Sequence, residues 1–325
     1  MAPAASPLRA GRPDPLRAAM KIVVRKPGLL DTIQDLGRPG YRQVGVPEGG
    51  AADRQALILA NRLVGNMDGA AGIEFTLHGP ALGFPQGGVI ALTGARFEAR
   101  CDGADLNWDN TLVLSAGASL EIGRALNGCR GYLAVAGGIE NEAVLSSHAT
   151  FLPGAFGGWC GRQLEAGDSL PARAGQPAHF GRASEPVAGG PLRVVAGPQL
   201  GWFSEPALVA LFGGSYVVDA RSDRTGIRLR GRELGVKERQ QLGSQGVLPG
   251  TIQVPPDGQP IILGWDGPVT GGYPVIAGVI AADLGRLAQL RPGDRVSFQA
   301  LDPAEARAVW LDQQGILDRS ITWLA

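Results

Sequence analysis

The chain has 325 residues, 44% of them hydrophobic and only 6% aromatic, with 50 glycines and 30 basic residues against 30 acidic ones. An even charge balance excludes a global pull toward nucleic acid or an anionic membrane surface, and so much glycine favours many turns over a helical bundle. Cys101, Cys129 and Cys160 are odd in number and form no CxxC, so they read as thiols of a reducing, cytoplasmic compartment; His78, His148 and His179 have no metal-ligand spacing, and no metal is expected.

Along the chain, residues 1–19 are rich in Pro, Ala and Arg and lack the hydrophobic segment of a secretory signal. The folded pattern begins at "MKIVV", with Met20 as a candidate start, and residues 1–20 are expected to form a disordered extension. No apolar run is long enough to cross a bilayer. Short β-branched runs closed by Gly, Pro or Asp then follow: "KIVVRKPG", "VIALTG", "TLVLSAGASLEIG", "RGYLAVAGG", "LRVVAG", "GSYVVDA", "TIQVPPDGQPIILG", "YPVIAGVI" and "DRVSFQAL". Helical periodicity is confined to "DRQALILANRLVGN", with Ala56, Leu57, Ala60, Leu63 and Val64 on one face and Gly65 as a stop, and to "EPALVALFG" and "DPAEARAVWLDQQG". The chain is predicted to be mainly β with a few helices, and closed barrels are the economical way to hide so many strand edges.

Two internal echoes refine this. "LSAGASL", "LEAGDSL" and "LRPGDRV" each read as a tight turn feeding a strand. "DLGRPGYR" resembles "SDRTGIRL", aligning Arg38 with Arg224, and "GVPEGG" resembles "GVLPGT", which suggests duplication of one β domain. The polar, unpatterned stretch 179–191 would be the seam. The expected organisation is an N-terminal domain over 21–185, a C-terminal domain over 190–300 and a helical tail over 301–325.

Standard catalytic machinery is missing from the sequence: no P-loop, GxGxxG, HExxH, GxSxG or biotin-accepting hairpin. What remains is Gly-flanked polar residues, where backbone N–H groups approach a ligand closely and an Arg fork suits carboxylate or phosphate. Four clusters fit: Asp35 with Arg38, Asp53 with Asn61, Ser222–Asp223–Arg224, and "WDGPVTGGYP" with Asp266, Thr270 and Tyr273. Each also has a structural reading. An Asp–Arg pair ties a turn, Asp53 caps a helix, and Glu74, acidic inside the apolar run "GIEFTLHGP", pairs with a turn Arg.

"TIQDLGRPGYRQVGVPEGGAADRQALILANRLVGN", "IEFTLHGP", "ALTGA", "GYLAVAGGI", "SDRTGIRL", "GVLPGTIQVPPDGQPIIL" and "TGGYP" occur in the order seen in the allophanate hydrolase subunit 2, or biotin-dependent carboxyltransferase-like, family, which includes the C subunit of 5-oxoprolinase. The resemblance covers Lys21 to Phe298. It implies two cyclophilin-like β-barrel domains. It also implies partners: a protein of the 5-oxoprolinase B-subunit (allophanate hydrolase subunit 1) type and a LamB/YcsF-type A subunit, which together open 5-oxo-L-proline to L-glutamate at the expense of ATP, bound in the complex. On this reading the chain is an ATP-dependent lactam hydrolase subunit, inactive alone, with Asp35, Arg38, Asp53, Arg224, Asp266, Thr270 and Tyr273 as catalytic-site candidates around a common cleft. The first alternative is the carboxyltransferase part of a biotin-dependent urea carboxylase, and only there is biotin implied; the second is a non-enzymatic, kinase-inhibitor-antagonist type of regulatory partner. "DGPVTGGY" keeps Asp266 and Thr270 to Tyr273 but places Gly267, Pro268 and Val269 where the 5-oxoprolinase C subunits carry other residues, and so leans toward the urea carboxylase type. "LSS" (Leu145–Ser147) and "RTG" (Arg224–Gly226) are further departures. The rings of Phe156 and Trp159, in the Gly-rich "FGGWCG", are candidates either for a partner face or for burial against their own barrel.

Overall fold

In the computed structural model residues 19–177, 179–183, 189–237 and 242–324 are described. The β-branched runs form strands because each can bury one face, and the Gly, Pro and Asp between them make the turns. The first half carries two antiparallel sheets over one core. The six-stranded sheet runs, edge to edge, Ser169–Arg173, Ala19–Lys26, Ala81–Phe84, Ala118–Ala125, Phe97–Cys101 and Ala104–Asp105; the five-stranded one runs Asp31–Gln34, Gly72–Thr76, Arg130–Val135, Gly88–Gly94 and Thr111–Leu114. Ile22, Ile73, Phe75, Leu92, Phe97 and Leu120 are buried between them, and Phe75 meets Phe97 edge-on with ring centroids 4.9 Å apart.

Helix α1 (Arg54–Leu63) lies over the outer face of the five-stranded sheet, packing Leu59, Ala60 and Leu63 against Val89, Ala91 and Ala134. That cover is why all six residues of Arg130–Val135 are buried, where an uncovered strand would alternate. Its start is fixed by Asp53, whose side chain accepts the Ala56 N–H at 3.1 Å.

The second half is an eight-stranded sheet in the order Arg295–Val296, Tyr216–Val218, Gly226–Arg230, Ile261–Leu263, Thr251–Gln253, Val275–Val279, Leu192–Ala196, Phe298–Ala300. All pairs are antiparallel except the last, and the two edge strands are separated in sequence only by Ser297. The sheet therefore wraps into a nearly closed barrel around Val194, Phe203, Leu211, Tyr216, Ile252 and Ile276. Helices α2 (Glu205–Gly213), started by the Ser204 cap, and α3 (Leu284–Ala288) pack Leu211 and Leu287 into this core. The molecule is mainly β: two cyclophilin-like barrels with a few helices. The three echoed turns are alike in structure. Gly117, Gly167 and Gly293 have φ near +90° (86, 94 and 91°), and the next residue donates back to Ser115, Glu165 and Arg291.

Some expectations need correction. The extension expected over 1–20 lies outside the described residues up to 18, but Ala19 and Met20 open the first strand, and Met20 is buried in the core. The tail is not helical throughout. Helix α4 (Pro303–Arg319), held at its start by an Asp302–Glu305 capping box, is followed by the strand Ile321–Leu324, which pairs antiparallel with Phe180–Ala183. The stretch expected to be an unpatterned seam thus contains a strand; residues 184–188 within it lie outside the described residues. The two rings of the Gly-rich loop turn inward. Trp159 packs against the first core, and Phe156 rests on Phe151 with ring centroids 5.2 Å apart.

Candidate functional site

The segment 35–53 is a folded loop closed at its base, where Ala51 N–H donates to Asp35 O (2.8 Å) and Arg38 N–H to Glu48 O (2.8 Å). Its glycines allow that closeness. Gly50 has φ +84°, and a Cβ there would fall 2.5 Å from Gly37 N. The Asp35 carboxylate holds a second loop in place, accepting from the Gly37 N–H (2.7 Å), the Ser147 hydroxyl (2.8 Å) and the His148 N–H (2.6 Å).

The segment also forms the interface between the two barrels. Gly49 N–H donates to Trp265 O (3.2 Å), the Trp265 indole N–H donates to Ala52 O (3.1 Å), and the Arg54 guanidinium lies 3.5 Å above the Trp265 ring. Arg42, at the end of "DLGRPGYR", reaches across to the Val247 carbonyl in "GVLPGT", so echoed segments of the two halves are linked directly.

At the centre is Arg224. Its guanidinium donates from Nε and Nη2 to Asp266 (2.7 and 3.1 Å), from Nη2 to Gly50 O (2.7 Å), and from Nη1 to Glu74. Glu74 also accepts from the Ala52 N–H and the Tyr132 hydroxyl, both at 2.8 Å, and Arg130 Nε stands 3.7 Å from it. The Tyr132 oxygen in turn accepts the Asp53 N–H (2.8 Å). Gln289, from the second half, donates to Asp53 (2.8 Å), accepts from the N–H groups of Cys129 and Arg130 (3.0 and 2.9 Å), and so fastens the far side of the interface; Arg130 adds a bond to the Ala288 carbonyl.

All of Glu74, Arg130, Tyr132, Arg224 and Asp266 are buried. Burial works to raise the Glu74 carboxyl, yet Arg224 and Arg130 hold it below the usual range. Burial works to lower the Arg224 guanidinium, but Asp266 and Glu74 hold it up as a fixed cation. Asp53 is pushed up by burial against the opposing bonds from Gln289 and Ala56. The Tyr132 hydroxyl is driven well above its ordinary value by burial and by the Glu74 charge, and stays a donor.

Of the residues expected at the site, the structure thus brings Asp53, Arg224 and Asp266 into one network, with Asp35 and Arg38 beside it. Arg38 and Arg224 both converge on the Gly49–Gly50 turn, but on a closed interface and not on an open cleft. A Cβ at Gly49 would lie 2.9 Å from Arg38 Nη1 and 3.6 Å from Asp266 Oδ1. Thr270 and Tyr273 stand apart. Thr270 is exposed in the short strand Thr270–Gly271, and Tyr273 lines a groove of about 520 Å³ with Asp219, Arg228, Arg230 and Gln259. A larger groove, about 1200 Å³, lies over the first barrel between Arg96, Arg100, Trp108 and Glu121, away from every expected site residue. Arg130, Tyr132 and Gln289 were not among the residues expected from the sequence. The only local signal for the first two was an Arg and a Tyr in a strand with no polar alternation.

Residues 44–300 match the family described as carboxyltransferase domain, subdomain A and B. The chain is 38% identical to the C subunit of 5-oxoprolinase from Escherichia coli over 94% of its own length and 98% of that protein, and 38% identical to its Haemophilus influenzae counterpart of the same name over 87% and 94%. It is 32% identical to the urea amidolyase of Saccharomyces cerevisiae over 89% of its length, but this is only 17% of that larger protein. Among solved structures, it superposes on the Kluyveromyces lactis urea amidolyase with a TM-score of 0.86 at 30% identity, covering 92% of this chain and 20% of the other. It also superposes on TTHA0988 with a TM-score of 0.78 at 35% identity, covering 88% and 57%. A family match over residues 44–300 and a nearly end-to-end match at 38% identity to a relative covered over 98% of its length leave one assignment: the chain belongs to the family of the carboxyltransferase domain, subdomain A and B.

Proposed function

We propose that this chain is the C subunit of an ATP-dependent 5-oxoprolinase that opens 5-oxo-L-proline to L-glutamate together with a partner of the B-subunit type and one of the LamB/YcsF, or A-subunit, type. The observation that carries the reading is the end-to-end match, 94% of this chain against 98% of the Escherichia coli 5-oxoprolinase component. In the reaction the lactam N–C bond breaks, the freed nitrogen takes up protons to become the amine, and a water oxygen joins the carbonyl carbon to give the new carboxylate. ATP, a substrate of the complex, transfers its terminal phosphoryl group to the lactam oxygen to drive the step, leaving ADP, and a second water releases that group as inorganic phosphate. An unstrained amide needs such activation, and charge developing on its oxygen needs fixed donors.

Within this reading the residues of the barrel interface take distinct parts. Arg224, held between Asp266 and Glu74, positions the Gly49–Gly50 turn, and Asp53 with Gln289 positions the start of α1. Asp35 orders the loop carrying Ser147 and His148. Arg38, the guanidinium here with two buried nitrogens left over, faces the substrate. Thr270 and Tyr273 lie outside this constellation. The complex works in the cytoplasm; in the described residues no helix is long and apolar enough to cross a membrane. The test is to purify the chain alone and with its two partners and to measure glutamate formed from 5-oxo-L-proline and ATP. Turnover only in the reconstituted complex is expected; turnover by the isolated chain would refute the dependence on partners, and no turnover in the full complex would refute the reading.

A second reading, carboxyl transfer in a biotin-dependent urea carboxylase, is favoured by the superposition on the Kluyveromyces lactis urea carboxylase over 94% of this chain (TM-score 0.86). It predicts urea carboxylation when a biotin carboxylase and its biotinylated carrier are supplied, with 5-oxo-L-proline inert.

A further inference from the structure

Two kinds of anomaly coincide around Arg38. The first is strain. Seven non-glycine residues among those described have positive φ, and four of them, Leu145, Ser146, Ala155 and Cys160 (φ 53, 61, 51 and 57°), fall in one loop, 141–161. Such backbone persists only where surrounding contacts over-determine it, and it concentrates at ligand clamps and switches. The second is unspent hydrogen bonding. Ten buried side-chain atoms among the described residues have no partner, and four of them, Arg38 Nε, Arg38 Nη1, Asn141 Oδ1 and His148 Nδ1, belong to this loop or to the guanidinium it covers.

Arg38 is fully buried, yet its side chain makes one hydrogen bond, from Nη2 to the Ala149 carbonyl, and its guanidinium lies over the Phe156 ring at 5.0 Å. Burial pushes the group down from its ordinary value and Arg224 adds to that, while Asp35 and Asp266 oppose it. Neither carboxylate bonds to it: Asp35 is taken by Ser147 and the N–H groups of Gly37 and His148, and Asp266 by Arg224. Two positions beside it carry no side chain. Cβ atoms at Gly49 and Gly157 would lie 2.9 Å from Nη1 and 3.1 Å from Nη2, and both glycines have positive φ. A buried cation with unspent N–H groups on Nε and Nη1, beside two glycines and under a strained loop, still has donors to offer an anionic oxygen.

We infer that Arg38 is the binding residue for a small carboxylate, and that the 141–161 loop opens to admit it and closes over it. Resting on the 5-oxoprolinase reading, the inference assigns this site the carboxylate of 5-oxo-L-proline, which is remote from the bond that breaks. Arg38 would then fix the lactam by its unreactive end, and the strain in the closed loop would be relieved as the loop lifts to release product.

The test uses the reconstituted complex of all three proteins and two lactams that differ only in the carboxylate, 5-oxo-L-proline and 2-pyrrolidinone. In the wild-type complex, hydrogen exchange over residues 35–50 and 141–161 is expected to slow with 5-oxo-L-proline and not with 2-pyrrolidinone. Arg38→Met is expected to raise KM for 5-oxo-L-proline by about 100-fold, the loss of a charge-assisted hydrogen bond, and to abolish the preference for 5-oxo-L-proline over 2-pyrrolidinone. Arg38→Lys, which keeps the charge and loses the planar guanidinium, is expected to fall between. A complex that turns over 5-oxo-L-proline while showing equal or no protection by the two lactams would overturn the inference and leave the functional reading standing. A complex inactive on 5-oxo-L-proline would overturn the reading first, and the inference with it. The wild-type exchange measurement decides the matter even if neither variant folds.

Discussion

Replacing Arg224 by Met should come close to separating the two barrels. Arg224 supplies the only side-chain donors to Asp266 among the described residues, through two bonds of 2.7 and 3.1 Å. Removing it leaves a buried carboxylate without a side-chain hydrogen-bond donor, with only the neighbouring Arg38 charge to offset it, which costs about 3–5 kcal/mol. Glu74 loses one partner but keeps the Ala52 N–H, the Tyr132 hydroxyl and nearby Arg130, so its share is smaller, about 1–3 kcal/mol. The sum, about 4–8 kcal/mol, is comparable with the whole stability of an ordinary domain. Adding Asp266→Asn removes the stranded charge and should recover about 2 kcal/mol or more relative to the single variant. Urea unfolding followed by intrinsic tryptophan fluorescence is the assay, to which Trp265 contributes from the interface, where its indole bonds to Ala52 and is stacked on Arg54. A loss below about 1 kcal/mol, or no recovery in the double variant, would show that the Arg224 cluster does not hold the halves together.

Asp31 gives a pH test. Burial, only partly offset by the Gly28 N–H, pushes its carboxyl up to about 7, and one oxygen has no partner. The folded chain then holds a proton that the unfolded chain has released, so its contribution to stability declines from pH 3.8 to about 7 and is flat above. Asp31→Asn should remove that slope, with a gain over wild type that grows across this window to at most about 4 kcal/mol, measured by denaturant midpoints at several pH values. Gly50→Ala should destabilise by more than about 1 kcal/mol, from positive φ and a Cβ only 2.5 Å from Gly37 N, and should slow reconstitution of the active complex. Asp302→Ala, which breaks the capping box of α4, should cost about 1 kcal/mol locally, seen as faster hydrogen exchange in 303–319 with little change in the main transition, because Leu317 is the one buried residue in that helix.

The barrels were legible because their signals are local. "VIALTG" and "RGYLAV" announce buried strands by composition, Asp53 and Gly65 bracket α1, and the repeated Leu-x-x-Gly turns fix where strands begin. The interface was half legible. Glu74 was conspicuous as an acid in an apolar strand, and pairing with a turn Arg followed from the cost of burying a lone charge. That the Arg is Arg224, 150 positions away, is set by how two barrels dock, which no local pattern encodes. Gln289 was invisible for the same reason: a surface-type residue near a short helix becomes a fastener only once Cys129 and Arg130 are brought opposite it. Helix α3 and the terminal strand Ile321–Leu324 were missed because five and four residues carry too little periodicity to register.

The clasp formed by Arg295–Val296 and Phe298–Ala300 has a consequence for synthesis. Leu192–Ala196 is made first and waits, with one flank unpaired, until nearly the whole barrel has followed; Tyr216–Val218 waits for the same hexapeptide. Until residues 295–300 leave the ribosome, the nascent sheet exposes two sticky flanks at once, the state in which strands recruit the wrong neighbours. A chain cut just before Arg295 would keep six of the eight strands and most of the core, yet both of those flanks would remain open. It should accumulate as aggregates, where a cut after Ala300 leaves a sheet that can shut.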